Sequence, residues 1–327
     1  MNRPSEDELI ATYFAPLAGQ GAFGLRDDAA LLAQKPDHDI VATKDMSIAG
    51  VHFFADDPPG AVARKALRIN LSDLAAKGAE PCGFLLGLAL PEDWTEHWLA
   101  GFAQGLGADA AAYKCPLLGG DTVKSPGPLV VSITAFGAVP ARKMVLRAGV
   151  SAGDRLYATG TIGDAALGLK FRLGAAEDLE WTASVSQAEA AYLAGRALLP
   201  EPRLALREAL RAHAHAAIDI SDGFAGDLAK MLGLTGVTAE VTIADVPLSD
   251  AARKILRDAP PLLETILTGG DDYEILCAVP PSRSAAFEAE AAAAGVLVRL
   301  IGTAEPGKMP PVFKDAEGRS LVLARPS

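Results

Sequence analysis

Cysteine is scarce in this chain: Cys82, Cys115 and Cys277 are the only three in 327 residues, and none belongs to a CxxC pair. That spacing excludes a disulfide framework and a cysteine-built zinc cluster. Aromatic residues make up 6% of the chain, so its cores must be packed from small and aliphatic side chains. Positive charge is short as well. Against 41 Asp and Glu stand 30 Lys and Arg, a formal net charge of −11, and the basic residues are scattered. A nucleic-acid surface needs a concentrated basic patch, so no nucleic-acid partner is expected. No uninterrupted apolar run approaches membrane-spanning length, and the N-terminus carries no basic segment followed by an apolar targeting core. The expectation is a soluble, cytoplasmic protein with no membrane partner. Also missing are the G-x-x-x-x-G-K-[ST] phosphate loop, the dinucleotide G-x-G-x-x-G fingerprint and any supported serine–histidine–acid triad. An acidic balance still admits a phosphate ligand, because bound divalent cations reverse the local field.

The length is about twice that of a common domain, which predicts two. "DELIATYFAPLA" has helical spacing, and after a glycine-rich turn "AALLA" and "DIVATKDMSIAGVHF" read as strands. "PPGAVARKALRINLSDLAAKGA" opens with prolines at a helix start and continues with a helical period. "PCGFLLGLAL" reads as a buried strand, "WTEHWLAGFAQGLGADAAAY" as a helix and "LVVSITAFGAV" as another strand. The boundary is placed at residues 140–150, giving domains 1–145 and 146–327. Beyond it, "RLYATG" is a strand, "GDAALGLKFRL" a helix start, and residues 186–216 a long Ala/Leu-rich helical section. "AAIDISDGFAGDLAKMLGL" reads as strand, polar turn and helix; "YEILCAVP" and "VLVRLIGTAEP" are strands flanking a helix near 284–294. The predicted class is mixed α/β, or α+β, in two domains.

Acidic turns beside apolar segments recur: Asp27-Asp28 in "GLRDDAALL", Asp45, Asp73 in "NLSD", Asp121 in "GGDT", and Asp219 with Asp222 in "DISDG". Hard cations such as Mg²⁺ take oxygen ligands, often a few carboxylates together with substrate phosphates. Carboxylates brought close together repel unless they are protonated or bridged by metal. A fold that converges these turns would make a metal–phosphate site. Each aspartate also has a plainer reading: Asp73 facing solvent from a helix, Asp219 or Asp222 as a helix cap, Asp121 in an Asx turn. "LLGGDT" and "ATGTIGD" offer glycine turns that permit close phosphate approach. Arg142 and Lys143 either neutralise phosphate or form a basic linker surface. His52 is either a substrate contact or structural.

Taken in order, "GLRDDAALL", "KDMSIAGVHF", "ALRINLSDLAAKGA", "LLGGDT", "YATGTIGDAALGL", "LLPEPR", "AIDISDGFAGDL" and "GGDDYEI" span most of residues 24–276. This set resembles the thiamine-monophosphate kinase family, within the larger group of aminoimidazole-ribonucleotide synthetase-like ATP-binding proteins. The resemblance implies an N-terminal ATP- and metal-binding domain that forms a barrel-like homodimer interface. It also implies a C-terminal α/β domain that helps enclose substrate. The implied reaction carries the γ-phosphoryl group of ATP to thiamine monophosphate, giving thiamine diphosphate and ADP, with Mg²⁺. Family metal positions fall on Asp28, Asp45, Asp73, Asp121 and Asp222, with Asp27 and Asp219 as additions. Gly119, Gly120, Asp121, Thr122, Arg142 and Ser221 are implied nucleotide contacts, and Asp121, Asp222 and Arg142 the implied catalytic set. His52, Asp271, Asp272, Tyr273 and Phe313 are implied on the substrate side; His213 and His215 have no such support. The chain departs from the pattern at Arg26, Lys44 and Lys77, each a cation beside a proposed anionic site. The alternatives are a related ATP-using enzyme that activates another metabolite, and a catalytically weak nucleotide-binding regulatory protein.

Overall fold

The computed structural model describes residues 4–33 and 35–323. The chain divides into two compact units, Met1–Leu74 with Ala79–Met144, and Ala75–Gly78 with Val145–Ser327. Among the described residues no helix is long and apolar enough to cross a membrane.

The first unit opens with α1 (Glu6–Leu9), fixed by a capping box in which Ser5 and Glu8 satisfy each other's backbone N–H. The helical pattern of "DELIATYFAPLA" then continues as a π turn and a 3-10 turn rather than one α-helix, because Pro16 cannot donate within a longer helix. Strands β1 (His38–Ile48), β2 (Glu80–Leu90), β3 (Leu117–Lys124) and β4 (Val130–Pro140) form a sheet in the order β1-β4-β2-β3. Only β2 and β3 pair in parallel; their crossover is α3 (Glu96–Ala112), while α2 (Pro59–Ala76) joins β1 to β2. Alternation along the strands gives the sheet two unlike faces. On β1, Val41 and Ser47 are buried and share a face with half-buried Thr43 and Asp45, while Ile40, Ala42, Lys44 and Met46 are exposed on the other. Helices α2 and α3 approach backbone to backbone: a Cβ on Gly105 would lie 2.4 Å from Gly60 O. Arg64 and Arg68 close this pair on Asp109, at 3.0 and 2.5 Å.

Two expectations for this unit need correction. "AALLA" forms no strand; Ala29, Ala30 and Leu32 enter the lining of a cavity. "LLGGDT" is not a turn after a strand but lies inside β3, with Gly119 and Gly120 paired opposite Leu85 and Leu86. Gly120 is required there, since a Cβ would sit 1.9 Å from Leu86 O.

The second unit carries β5 (Arg155–Thr159), β6 (Ala216–Asp219), β7 (Val237–Thr242), β8 (Ile275–Val279), β9 (Val298–Pro306) and β10 (Val312–Lys314) in the order β10-β7-β9-β5-β8-β6. Its helices are α4 (Asp164–Leu173), α5 (Leu179–Thr182), α6 (Gln187–Leu198), α7 (Arg207–His213), α8 (Phe224–Gly233), α9 (Asp250–Asp258), α10 (Leu262–Thr268) and α11 (Pro281–Ala293). The long helical section expected over 186–216 is broken between α6 and α7, where Pro200 and Pro202 in "LLPEPR" interrupt it. The core between sheet and helices gathers Leu156, Ile162, Leu193, Phe224, Leu228, Ile266 and Leu276, all fully buried.

Candidate functional site

In the first unit the carboxylates are distributed over both faces of the sheet. Asp45, on the helix-covered face of β1, meets Asp73 from α2, and the Thr43 hydroxyl donates to Asp73 Oδ2. Burial, then repulsion from Asp73, push the Asp45 carboxyl up to about 6, with Lys44 acting weakly against them. A like-charge pair held this way is a ready acceptor for a cation.

The opposite face floors a cavity of about 740 Å³, reached by Asp27, Asp28, Lys44, Gly119, Gly120, Asp121, Thr122, Ser132 and Thr134. Its remaining wall joins Glu6 to apolar side chains, with Ile10 and Phe14 from the opening segment and Phe136 from β4. Pairing sets two rows across this floor: Lys44–Thr134–Leu85–Gly119, and Met46–Ser132–Gly87–Asp121. Asp45 therefore points away from Asp121, and the two strands that carry them lie three spacings apart, about 14 Å. The expected convergence of all the acidic turns on one centre is not met within this unit. Among the described residues no group of three or more His, Cys, Asp or Glu side chains could hold a metal ion. The carboxylates come instead as a pair, Asp45 with Asp73, and as members of one cavity wall, Asp27, Asp28 and Asp121.

His52 and Arg142 stand apart from that cavity. His52 closes the turn after β1: its Nδ1 accepts the Ile48 N–H at 3.1 Å, which leaves Nε2 to carry the proton in the neutral ring. Beside this turn, Gly50, Phe53, Asp57, Asp93, Trp94 and Trp98 line a second cavity of about 500 Å³. Nothing in the spacing of Trp94 and Trp98 separates a cavity wall from a helix core, so sequence reading misses it. Arg142 follows the far end of β4, where its N–H donates to Asp39 Oδ2 at 2.7 Å. That end of the ladder is six residue pairs from Lys44–Thr134, on the order of 20 Å, so Arg142 is no part of this cavity. Arg26 is exposed and makes no ion pair or side-chain hydrogen bond among the described residues.

The second unit brings two of the sequence motifs together. The "DISDG" loop leaves β6 and the "GGDDY" loop enters the neighbouring β8; Asp271 N–H donates to Ser221 O at 2.9 Å and Tyr273 N–H to Ile220 O at 2.8 Å. Asp271 and Tyr273 take positive φ of 73° and 50° to do so. Asp219 is buried at the end of β6, while Asp222 is exposed and paired with Lys230. The loop is held from below by Asp227, which accepts the N–H groups of Ser221 and Asp222 at 3.0 and 2.9 Å. The N-cap of α8 is Gly223, which makes no side-chain cap hydrogen bond, so Asp222 is not the cap; Asp227, inside the helix, ties down the loop before it.

Three substrate-side and phosphate expectations are corrected here. Asp272 is 1% exposed and accepts Gly163 N–H at 2.7 Å and Ala165 N–H at 3.4 Å, capping α4. Burial raises its carboxyl well above the usual range, and a group so enclosed holds the fold and meets no ligand. Phe313 is 3% exposed and packs edge-on to Phe224 at 5.9 Å, so it belongs to the core and forms no cleft wall. The glycines of "ATGTIGD" serve packing rather than phosphate: a Cβ on Gly160 would meet Glu274 at 2.2 Å, and one on Gly163 would meet Ile266 at 2.6 Å. Glu274 itself, unassigned from sequence, is fully buried and receives Arg196 at 2.9 Å, Arg203 at 2.5 Å and the Thr159 hydroxyl at 2.6 Å.

Comparison with known proteins supplies the family. The model of the AIR synthase related protein N-terminal domain matches residues 26–139, and that of its C-terminal domain residues 151–313. A thiamine-monophosphate kinase of Caulobacter vibrioides is 45% identical over 304 residues, 91% of this chain and 84% of the relative. The crystal structure of thiamine-monophosphate kinase from Stenotrophomonas maltophilia superposes with a TM-score of 0.82 at 34% identity, covering 96% of each chain. The structure of AaThiL complexed with AMPPCP and TMP superposes at 0.75, with 28% identity and 98% of each chain covered. The two matched domains and these relatives agree, and the chain belongs to the AIR synthase-related family, in its thiamine-monophosphate kinase branch.

Proposed function

We propose that this protein transfers the γ-phosphoryl group of ATP to thiamine monophosphate, releasing thiamine diphosphate and ADP. The observation that carries the reading is the cavity of about 740 Å³ in the first unit, sized for a nucleotide, in a chain 45% identical to a thiamine-monophosphate kinase. The Gly119-Gly120 backbone, Thr122 and Asp121 would receive the nucleotide's phosphates, and Ser221 is assigned to the same role from the second unit. His52, Asp271 and Tyr273 are assigned to thiamine monophosphate, whose positively charged thiazolium suits acidic surroundings.

The donor set fits Mg²⁺. Every candidate ligand is a carboxylate, and none of the groups is complete without further oxygens, as for a cation that binds through one or two carboxylates plus substrate phosphates. Asp27, Asp28 and Asp121 would hold it on the cavity face, Asp45 and Asp73 on the helix face, and Asp219 and Asp222 in the second unit. A cation held on the cavity face would supply charge neutralisation for the transferred group. The chain's own task is positioning and charge compensation, since an in-line transfer needs no covalent nucleophile on the protein. The acceptor phosphate is already anionic near neutral pH, so Asp222 is assigned to orientation or cation binding, not proton abstraction. The exposed Ile40 and Met46 on β1 and Val123 on β3 offer apolar area for the barrel-like homodimer.

Purified protein incubated with Mg²⁺, ATP and thiamine monophosphate should form thiamine diphosphate and ADP in equal amounts. Absence of thiamine diphosphate across pH and Mg²⁺ series, alongside ATP-dependent activity on another metabolite, would overturn the proposal.

A further inference from the structure

Lys44 is the basic side chain that reaches the first-unit cavity; the other charged residues lining it are Glu6, Asp27, Asp28 and Asp121. An ammonium facing that many carboxylates would be expected to pair with one. It does not: its hydrogen bond is to the neutral Ser132 hydroxyl, and it makes no ion pair among the described residues. Geometry explains this. Lys44 stands at the β1 edge of the floor and Asp121 at the β3 edge, with β4 and β2 between them. Ser132, one row along on β4, holds the ammonium over the sheet. Of its three donors, one is used by Ser132 and the others remain for the cavity. The same floor row ends at Gly119, next to Gly120, where the backbone has no side chain to keep a phosphate away.

We infer that Lys44 binds the triphosphate of ATP directly, its ammonium donating to a phosphate oxygen while carboxylates at the other edge work through cations. The inference rests on the kinase reading above and adds to it a fixed positive charge, supplied by the protein, that does not depend on metal. A consequence is that part of the nucleotide affinity survives metal removal.

The test is calorimetric titration of the full-length protein with ATP and with adenosine, in Mg²⁺ and again in EDTA. Wild type, Lys44→Met and Lys44→Arg are compared, with melting curves as the check on folding. Loss of a charge-assisted hydrogen bond predicts that Lys44→Met weakens ATP binding in EDTA by about 10- to 100-fold. Adenosine affinity should stay within twofold, and Lys44→Arg should restore most of the ATP affinity. The weakening should shrink as salt is raised. ATP affinity of Lys44→Met within twofold of wild type, in both Mg²⁺ and EDTA, would overturn the assignment while leaving the kinase reading intact. Equal loss for ATP and adenosine would also overturn it, showing a packing role. No ATP binding by wild type even with Mg²⁺ would remove the kinase reading, and the Lys44 assignment with it.

Discussion

Asp45→Asn tests the account of the like-charge pair through stability rather than turnover. The folded protein raises the Asp45 carboxyl from its ordinary 3.8 to about 6, by burial first and by Asp73 second. A gap of about two pH units between folded and unfolded ionisation corresponds to roughly 3 kcal/mol. Asp45 is only half-buried, so solvent screening reduces this to about 1–2 kcal/mol. The sign follows from linkage: the folded state holds the proton more tightly than the unfolded chain. The wild-type fold is therefore favoured below about 3.8 and loses that advantage as pH rises through about 6. Asn does not titrate and escapes the loss. Chemical denaturation, read by hydrogen exchange of the β1–β4 ladder, should show Asp45→Asn more stable than wild type by about 1–2 kcal/mol at pH 7.5. The gap should close towards pH 4, and millimolar Mg²⁺ should narrow it at pH 7.5 by neutralising the wild-type pair. A variant no more stable than wild type at pH 7.5, or a gap independent of pH, would show that Asp45 and Asp73 are not a destabilising like-charge pair.

Other consequences are structural and functional. Glu274→Ala strands Arg196 and Arg203 in the core of the second unit, and should cost about 3–5 kcal/mol, measurable in denaturant with Trp181 fluorescence as the local probe. Gly105→Ala forces a methyl to within 2.4 Å of Gly60 O, so α2 and α3 must separate at a cost of about 1–3 kcal/mol, seen as a lower melting temperature. Neighbouring aspartates should behave oppositely. Asp271→Ala should raise the KM for thiamine monophosphate with little change in melting, while Asp272→Ala, which uncaps α4, should lower stability by about 1–3 kcal/mol; the reverse split would contradict the placement of both.

The strong periodic elements were legible because one physical rule decided each of them. Pro58 and Pro59 followed by a helical period mark α2, and the unbroken apolar run Phe84–Leu90 marks β2. Elements set by tertiary pairing were not. "AALLA" has strand composition but joins no strand, its Leu31 N–H donating to Gly21 O in the preceding turn, and "GGDT" has turn composition but is drawn into β3 by parallel pairing with β2. The short β7 and β10 carry too little pattern to be read alone. In the site, the motifs named candidate acidic loops but not how many share a face. That depended on strand register, which places Asp45 and Asp121 on opposite sides of one sheet. Burial was equally hidden: within "GGDDYE" the sequence does not distinguish Asp271, beside the "DISDG" loop, from Asp272 and Glu274, which hold the core. Lys44, read from sequence as a departure from pattern, is resolved by its partner Ser132 and by the lack of any ion pair among the described residues.

The proposed reaction is direct transfer of one phosphoryl group between two bound substrates. The measurement that meets it is incubation of the purified protein with Mg²⁺, thiamine monophosphate and ATP labelled on its γ-phosphate, followed by separation of the products. The label should appear in the terminal phosphate of thiamine diphosphate, one equivalent per ADP formed, with no labelled protein on the way. Label released as inorganic phosphate, or retained on the protein while thiamine monophosphate is unchanged, would contradict it.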